Sequence, residues 1–280
     1  MTALTPPTRK LPKAVEYALV AVLLGVAAAI LIIAAERLTL LDSGVFGYDW
    51  HLFWTTVRTG VPDYSQLDER MKKLWNKKAE RLNSYTNTTE ENQSPEQLYG
   101  RAGIYSEFGK IICISVGAFL KGEFRIKSFA GHDEKALLTE FAELLNKRYN
   151  KPEHLLCAHN GKEFDFPYMA RRMLVLGIAV PQILDLSGKK PWEVNHLDTM
   201  ELWKFGDYKN FTSLDLLAAI FNIPTPKDDI DGSQVADVYY NQNDLPRIVH
   251  YCTKDVLTVA QIFRKYRGEP LIEEEAVVVV

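Results

Sequence analysis

Two apolar runs separated by a single tight turn constrain the chain most. Residues 110–119 and 123–129 each read as a strand, and Lys121-Gly122 between them suits a hairpin turn. From there the pattern changes period. Residues 133–149 place Leu137, Leu138, Phe141, Leu144 and Leu145 at helical spacing behind Asp133, whose charge favours a helix start. A short apolar strand at 154–158, a helix at 166–176 and a strand centred on His196-Leu197-Asp198 follow. Helices at 213–221, 233–240 and 245–267 close the series. Hairpin strands followed by alternating strands and helices predict an α/β fold with a mixed sheet flanked by helices. Upstream, residues 52–57 read as a strand, 64–82 as a helix through Leu67, Met71 and Leu74, and 83–94 as a polar loop.

With 280 residues the chain can bury a sizeable core without staples. A net charge of −3 excludes a generally basic, nucleic-acid-coating protein but leaves room for a local basic rim. Cys113, Cys157 and Cys252 are scattered and odd in number, which suits reduced, packed thiols better than disulfides or zinc. Residues 17–35 are apolar and uncharged, long enough to cross a bilayer core of about 30 Å at 1.5 Å per residue. Arg9, Lys10 and Lys13 precede them. The expectation is a single-pass transmembrane helix with its N-terminus in the cytoplasm. A signal peptide competes with that reading, and without the anchor the chain is expected in the cytoplasm. The expected organisation is an extension over 1–50, one domain over 51–272 and a frayed tail over 273–280.

Three short segments carry the chemistry. Strand 154–158 runs into a polar turn, and Asp165 then opens a helix five residues after Asn160. Tyr251 and Asp255 are four apart and share a helical face. Asp198 stands at a strand end. Each alone has a plain structural account: a helix cap, an i,i+4 contact, a loop-capping aspartate.

Together, in this order, they resemble the DEDD superfamily. The likeness is to predicted proofreading-like 3′–5′ exonucleases related to the exonuclease domain of family B DNA polymerases. It spans residues 63–272 and is dense at 157–165, 196–208, 212–232 and 251–256. Asn160 and Asp165 match that family's second motif, Tyr251 and Asp255 its third. His250 with Asp255 fits a sister subclass, but lies about 100° round the helix from Tyr251.

The resemblance implies an RNase H-like fold, preceded here by the expected membrane helix. It also implies two Mg²⁺ or Mn²⁺ ions hydrolysing nucleic acid, DNA favoured, from single-stranded 3′ ends. Asp255 would ligate one ion, Asp165 would support the other through water, Tyr251 would orient the attacking water and Asn160 would be a positioning residue. Asp198 would hold structure rather than metal. Lys162, Arg171 and Arg172, with Lys204 and Lys209, are candidate phosphate contacts.

The first motif of that family, Asp-x-Glu on the first strand, is absent. Residues 52–62 occupy the equivalent region and contain no acid, while Asp49 and Asp63 lie several residues out of register. Three readings remain open. One is a pseudo-exonuclease that binds nucleic-acid ends without cutting. Alternatively, a foreign or frame-shifted upstream segment is joined to an intact domain. The third reading is a membrane-tethered variant.

Overall fold

The computed structural model describes residues 52–61, 63–85, 93–207, 209–224 and 230–280. All of them fall in the compact unit Asp49–Val280. Its centre is a six-stranded mixed sheet in the order β5-β4-β1-β2-β3-β6. The strands are β1 (Leu52–Gly60), β2 (Lys110–Leu120), β3 (Glu123–Ala130), β4 (Leu155–Ala158), β5 (Leu197–Asp198) and β6 (Val277–Val279). β2 runs antiparallel to both β1 and β3. β4 is parallel to β1 and to β5, and β6 is parallel to β3. The β2–β3 turn has Lys121 at φ 55° and Gly122 at φ 87°. Two positive φ values in a two-residue loop match the right-handed twist of the strands they join.

The helices are α1 (Glu69–Tyr85), α2 (Pro95–Tyr99), α3 (Glu134–Arg148), α4 (Asp165–Val175), α5 (Thr199–Lys204), α6 (Leu214–Ile220), α7 (Val235–Tyr240) and α8 (Leu245–Tyr266). Against one side of the sheet, Phe53, Val57, Ile114 and Phe129 pack on Leu138, Phe141 and Leu145 of α3 and on Phe166, Met169 and Met173 of α4. Against the other, Leu52, Phe124 and Ile126 meet Val256, Val259 and Phe263 of α8. A smaller cluster joins Trp75 and Ala79 of α1 to Leu98 and Tyr99 of α2. All three cysteines are free and buried, as the composition suggests.

Two sequence expectations change. Residues 276–280, expected to fray, supply β6, and the Val280 amide donates to the Ile126 carbonyl. The spanning helix and the single-pass membrane location are corrected as well. Among the described residues no helix is long and apolar enough to cross a membrane. The longest, α8, carries Arg247, His250, Lys254, Asp255, Arg264 and Lys265, so its apolar side serves the core. Residues 17–35 lie outside the described residues.

Candidate functional site

β4 ends at Ala158, level with Cys157 opposite Trp54, while β1 runs on to Gly60. The crevice beyond the carboxyl end of β4 is therefore floored by the second half of β1, the usual place for a ligand in such sheets. The chain leaves β4 through Asn160, whose φ of 61° is one that asparagine adopts more readily than most residues. Asp198, 3% exposed, holds this turn in place. Its carboxylate accepts from the amides of Asn160 and Lys162 and caps α5 through Met200 and Glu201. The structural role expected for Asp198 is the one it has. His159 beside it donates from Nε2 to the Thr212 carbonyl and contacts the Thr199 hydroxyl, each at 2.9 Å. Burial pushes its imidazole below the ordinary histidine value, toward the neutral form.

Asp165 opens α4 without capping it. Its Oδ1 reaches back across the crevice and accepts the Val57 amide at 2.9 Å, tying the helix start to the central strand. Burial is the largest influence on its carboxyl, which is pushed up to about 7 despite opposition from the Arg58 charge and the Val57 amide.

The opposite wall is α8. Asp255 and Tyr251 stand one turn apart on it and both line the crevice, whereas His250 is exposed. Arg58 comes from β1 to meet them. Its guanidinium forms an ion pair with the Asp255 carboxylate and lies 4.5 Å from the centre of the Tyr251 ring. Nη1 donates to the Val57 carbonyl, while Nε is buried with no hydrogen-bond partner. The remaining space is a cavity of about 220 Å³, which Thr56, His159, Phe164 and Asp215 also border.

The four motif residues expected from the sequence, Asn160, Asp165, Tyr251 and Asp255, therefore come together around one cavity. The basic residues fare differently. Arg172 is corrected: it is buried, donating from Nε and Nη2 to Glu134 and from Nη1 to the Ser106 carbonyl. Its guanidinium is held by these partners inside the protein and does not line the cavity. The Lys162 ammonium is already paired with Glu201 at 2.8 Å. Arg171 is exposed on α4, outside the cavity lining. Sequence reasoning missed Arg58, Thr56 and His159. The period of two along 52–60 was the available signal for the first two.

A family model described as a predicted 3′–5′ exonuclease related to the exonuclease domain of the family B polymerase matches residues 104–269. The chain belongs to this exonuclease family. It is 21% identical over 146 residues to a DNA polymerase of Pyrococcus glycovorans, a stretch covering 48% of this chain and 18% of that polymerase. The family B DNA polymerase structure from Pyrobaculum calidifontis superposes on 76% of this chain and 24% of its own, at 13% identity and a TM-score of 0.47. The chain thus spans about a quarter or less of these relatives. In this member of the exonuclease family, the match begins after β1, so Thr56 and Arg58 lie outside it.

Divalent ions fit this site poorly. A hard cation needs several oxygen ligands, with carboxylates foremost. Among the described residues no group of three or more His, Cys, Asp or Glu converges to hold one. Of the three carboxylates that line the cavity, Asp215 is exposed, Asp165 is engaged by an amide and Asp255 by a guanidinium, whose charge repels any second cation.

Proposed function

We propose that this domain is a pseudo-exonuclease: it holds a single-stranded 3′ end, DNA favoured, in the cavity between β1, α4 and α8 and does not hydrolyse it. Family membership supports the nucleic-acid partner. The observation that carries the absence of hydrolysis is the Arg58–Asp255 ion pair. Two-metal cleavage depends on ions that lower the pKa of a bound water and stabilise the leaving oxygen. A guanidinium can stabilise charge but cannot generate a metal-bound hydroxide. For the bound strand, Tyr251 and Asn160 would position the terminal nucleotide, and Arg171 stays available as a peripheral phosphate contact. Phe211, 66% exposed with the Lys204 ammonium 4.3 Å from its ring centre, offers a stacking surface. It adjoins Thr212, whose carbonyl His159 binds.

The test is a labelled single strand incubated with purified protein and either Mn²⁺ or EDTA, following release of the 3′ nucleotide and strand binding together. Retained binding with no metal-dependent release is expected. Release that requires Mn²⁺ and disappears in Asp255→Ala would establish the family's hydrolytic activity with Mg²⁺ or Mn²⁺ and overturn this reading. Absence of strand binding under both conditions would overturn the nucleic-acid assignment.

A further inference from the structure

We infer that a second, larger cavity beyond the end of β1 is a binding site for an extended organic cation of the linear polyamine class. It shares no described lining residue with the cavity between β1, α4 and α8, and its occupancy does not depend on whether a strand end binds there.

The cavity measures about 920 Å³. That lies within the range of small-molecule sites. Thr59, Gly60 and Val61, at and just past the end of β1, enclose it together with the stretch following α2 and with α7. The Thr59 hydroxyl donates to the Gly103 carbonyl at 2.9 Å, which holds one wall against the strand. The other wall approaches Gly60 closely. A Cβ there would come 2.8 Å from Ile112 Cδ1 and 3.3 Å from the Tyr240 ring. Glycine at this position lets α7 lie directly on the strand.

The first observation that points to an occupant is Tyr99. It lines the cavity at 3% exposure, and its hydroxyl is buried with no hydrogen-bond partner. Its ring is well packed, edge-on to Tyr64 and Trp75. Phenylalanine would pack there equally well without burying an unpaired hydroxyl. That hydroxyl lies near Tyr240 of the facing wall, whose phenol is pushed up by burial and then by Tyr239 and Tyr99.

The second observation is charge. Asp63, Glu96 and Asp237 line the cavity, and Arg101 is the one opposing cation among its described lining residues. Hydrogen bonds from Ser65 to Asp63, and from the Asn241 and Gln242 amides to Asp237, hold both carboxyls below the ordinary value. Both are therefore ionised at neutral pH. Such a lining repels phosphates, so a nucleic-acid strand is disfavoured here. A metal ion does not fit either, because among the described residues no three or more acids converge to hold one. Negative charges spread around a large cavity suit positive charges that are themselves spread, as ammonium groups on methylene spacers are. The methylenes can lie along Tyr64, Tyr99 and Tyr240, whose ring faces attract ammonium. An ammonium beside Tyr99 would donate to its unpaired hydroxyl oxygen.

The experiment is titration calorimetry of the full chain with spermidine, free of nucleic acid. Saturable binding with a Kd on the order of 0.1–1 mM is expected, weakening as NaCl rises from about 0.05 to about 0.5 M. Glu96→Gln with Asp237→Asn should weaken it about tenfold, and Arg101→Gln should tighten it about two- to fivefold by relieving repulsion. Tyr99→Phe separates binding from folding: binding should weaken about three- to tenfold while the Tm of the free protein is unchanged or higher. MgCl₂ should compete no better than NaCl of equal ionic strength. No saturable binding up to about 10 mM would overturn the inference. So would wild-type affinity in both the acid double variant and Tyr99→Phe, or competition by MgCl₂ beyond that of NaCl. Tighter binding of a lysine–alanine–lysine peptide amide than of spermidine would assign the cavity to a protein segment and overturn the free-amine assignment.

Discussion

Replacing Asp165 by asparagine tests the electrostatics of the site without touching its shape. The side chains are isosteric, and an asparagine Oδ1 can still accept the Val57 amide that Asp165 binds at 2.9 Å. In the folded protein the carboxyl titrates at about 7, against an ordinary 3.8, mainly because it is buried. The unfolded chain therefore loses this proton first as pH rises. Between these two values the native state binds more protons than the unfolded one, so stability falls with rising pH. The contribution is fully present below about pH 4 and is lost above about pH 7. The gap of about three pH units, at ~1.4 kcal/mol each, sets a ceiling of about 4 kcal/mol. Asp165→Asn removes this titration. Relative to wild type, the variant should be of similar stability near pH 4 and more stable at pH 8 by about 2–4 kcal/mol. Urea unfolding of both proteins across that range measures the difference, in which all other titrating groups cancel. A difference that does not change with pH, or a variant less stable than wild type at pH 8, would show that Asp165 is held ionised and that burial does not dominate.

Two further changes probe the frame around the site. Glu134→Gln strands the buried Arg172 guanidinium, which Glu134 holds through contacts of 2.9 and 2.6 Å, and should cost about 3–5 kcal/mol in denaturant unfolding. A loss below about 1 kcal/mol would mean that the pair is hydrated. Gly117→Ala would bring a Cβ within 2.4 Å of the Phe124 ring and 2.9 Å of Val256, so a loss of about 1–3 kcal/mol is expected from overpacking between β2, β3 and α8. An unchanged Tm would refute that close approach.

The legible parts of this molecule were those written in local spacing. Lys121-Gly122 marked the hairpin because that turn needs two positive φ values, and the apolar rhythm of 133–149 marked α3. Asn160 with Asp165, and Tyr251 with Asp255, were legible as pairs because one spans a strand-to-helix turn and the other a single helical turn. What escaped depended on partners distant in sequence. Arg171 and Arg172 are neighbours with the same charge, yet one is exposed and the other is bound to Glu134, 38 residues away. Val277–Val279 is an unremarkable apolar run until the edge of β3 takes it up. Arg58 was visible as a residue, but its direction depended on the register of β1 against β2 and β4.

That register changes what the surviving acids mean. Asp198 serves four backbone amides, Asp165 ties α4 to β1, and Asp255 neutralises Arg58. Each of these jobs can be done without a metal, and losing any of them would leave buried donors or a buried charge unpaired. Asp255 is thus what the fold itself demands once Arg58 is present, Asp165 serves the Val57 amide as an acceptor that an asparagine could replace, and the presence of the two acids is no sign that strands are cut.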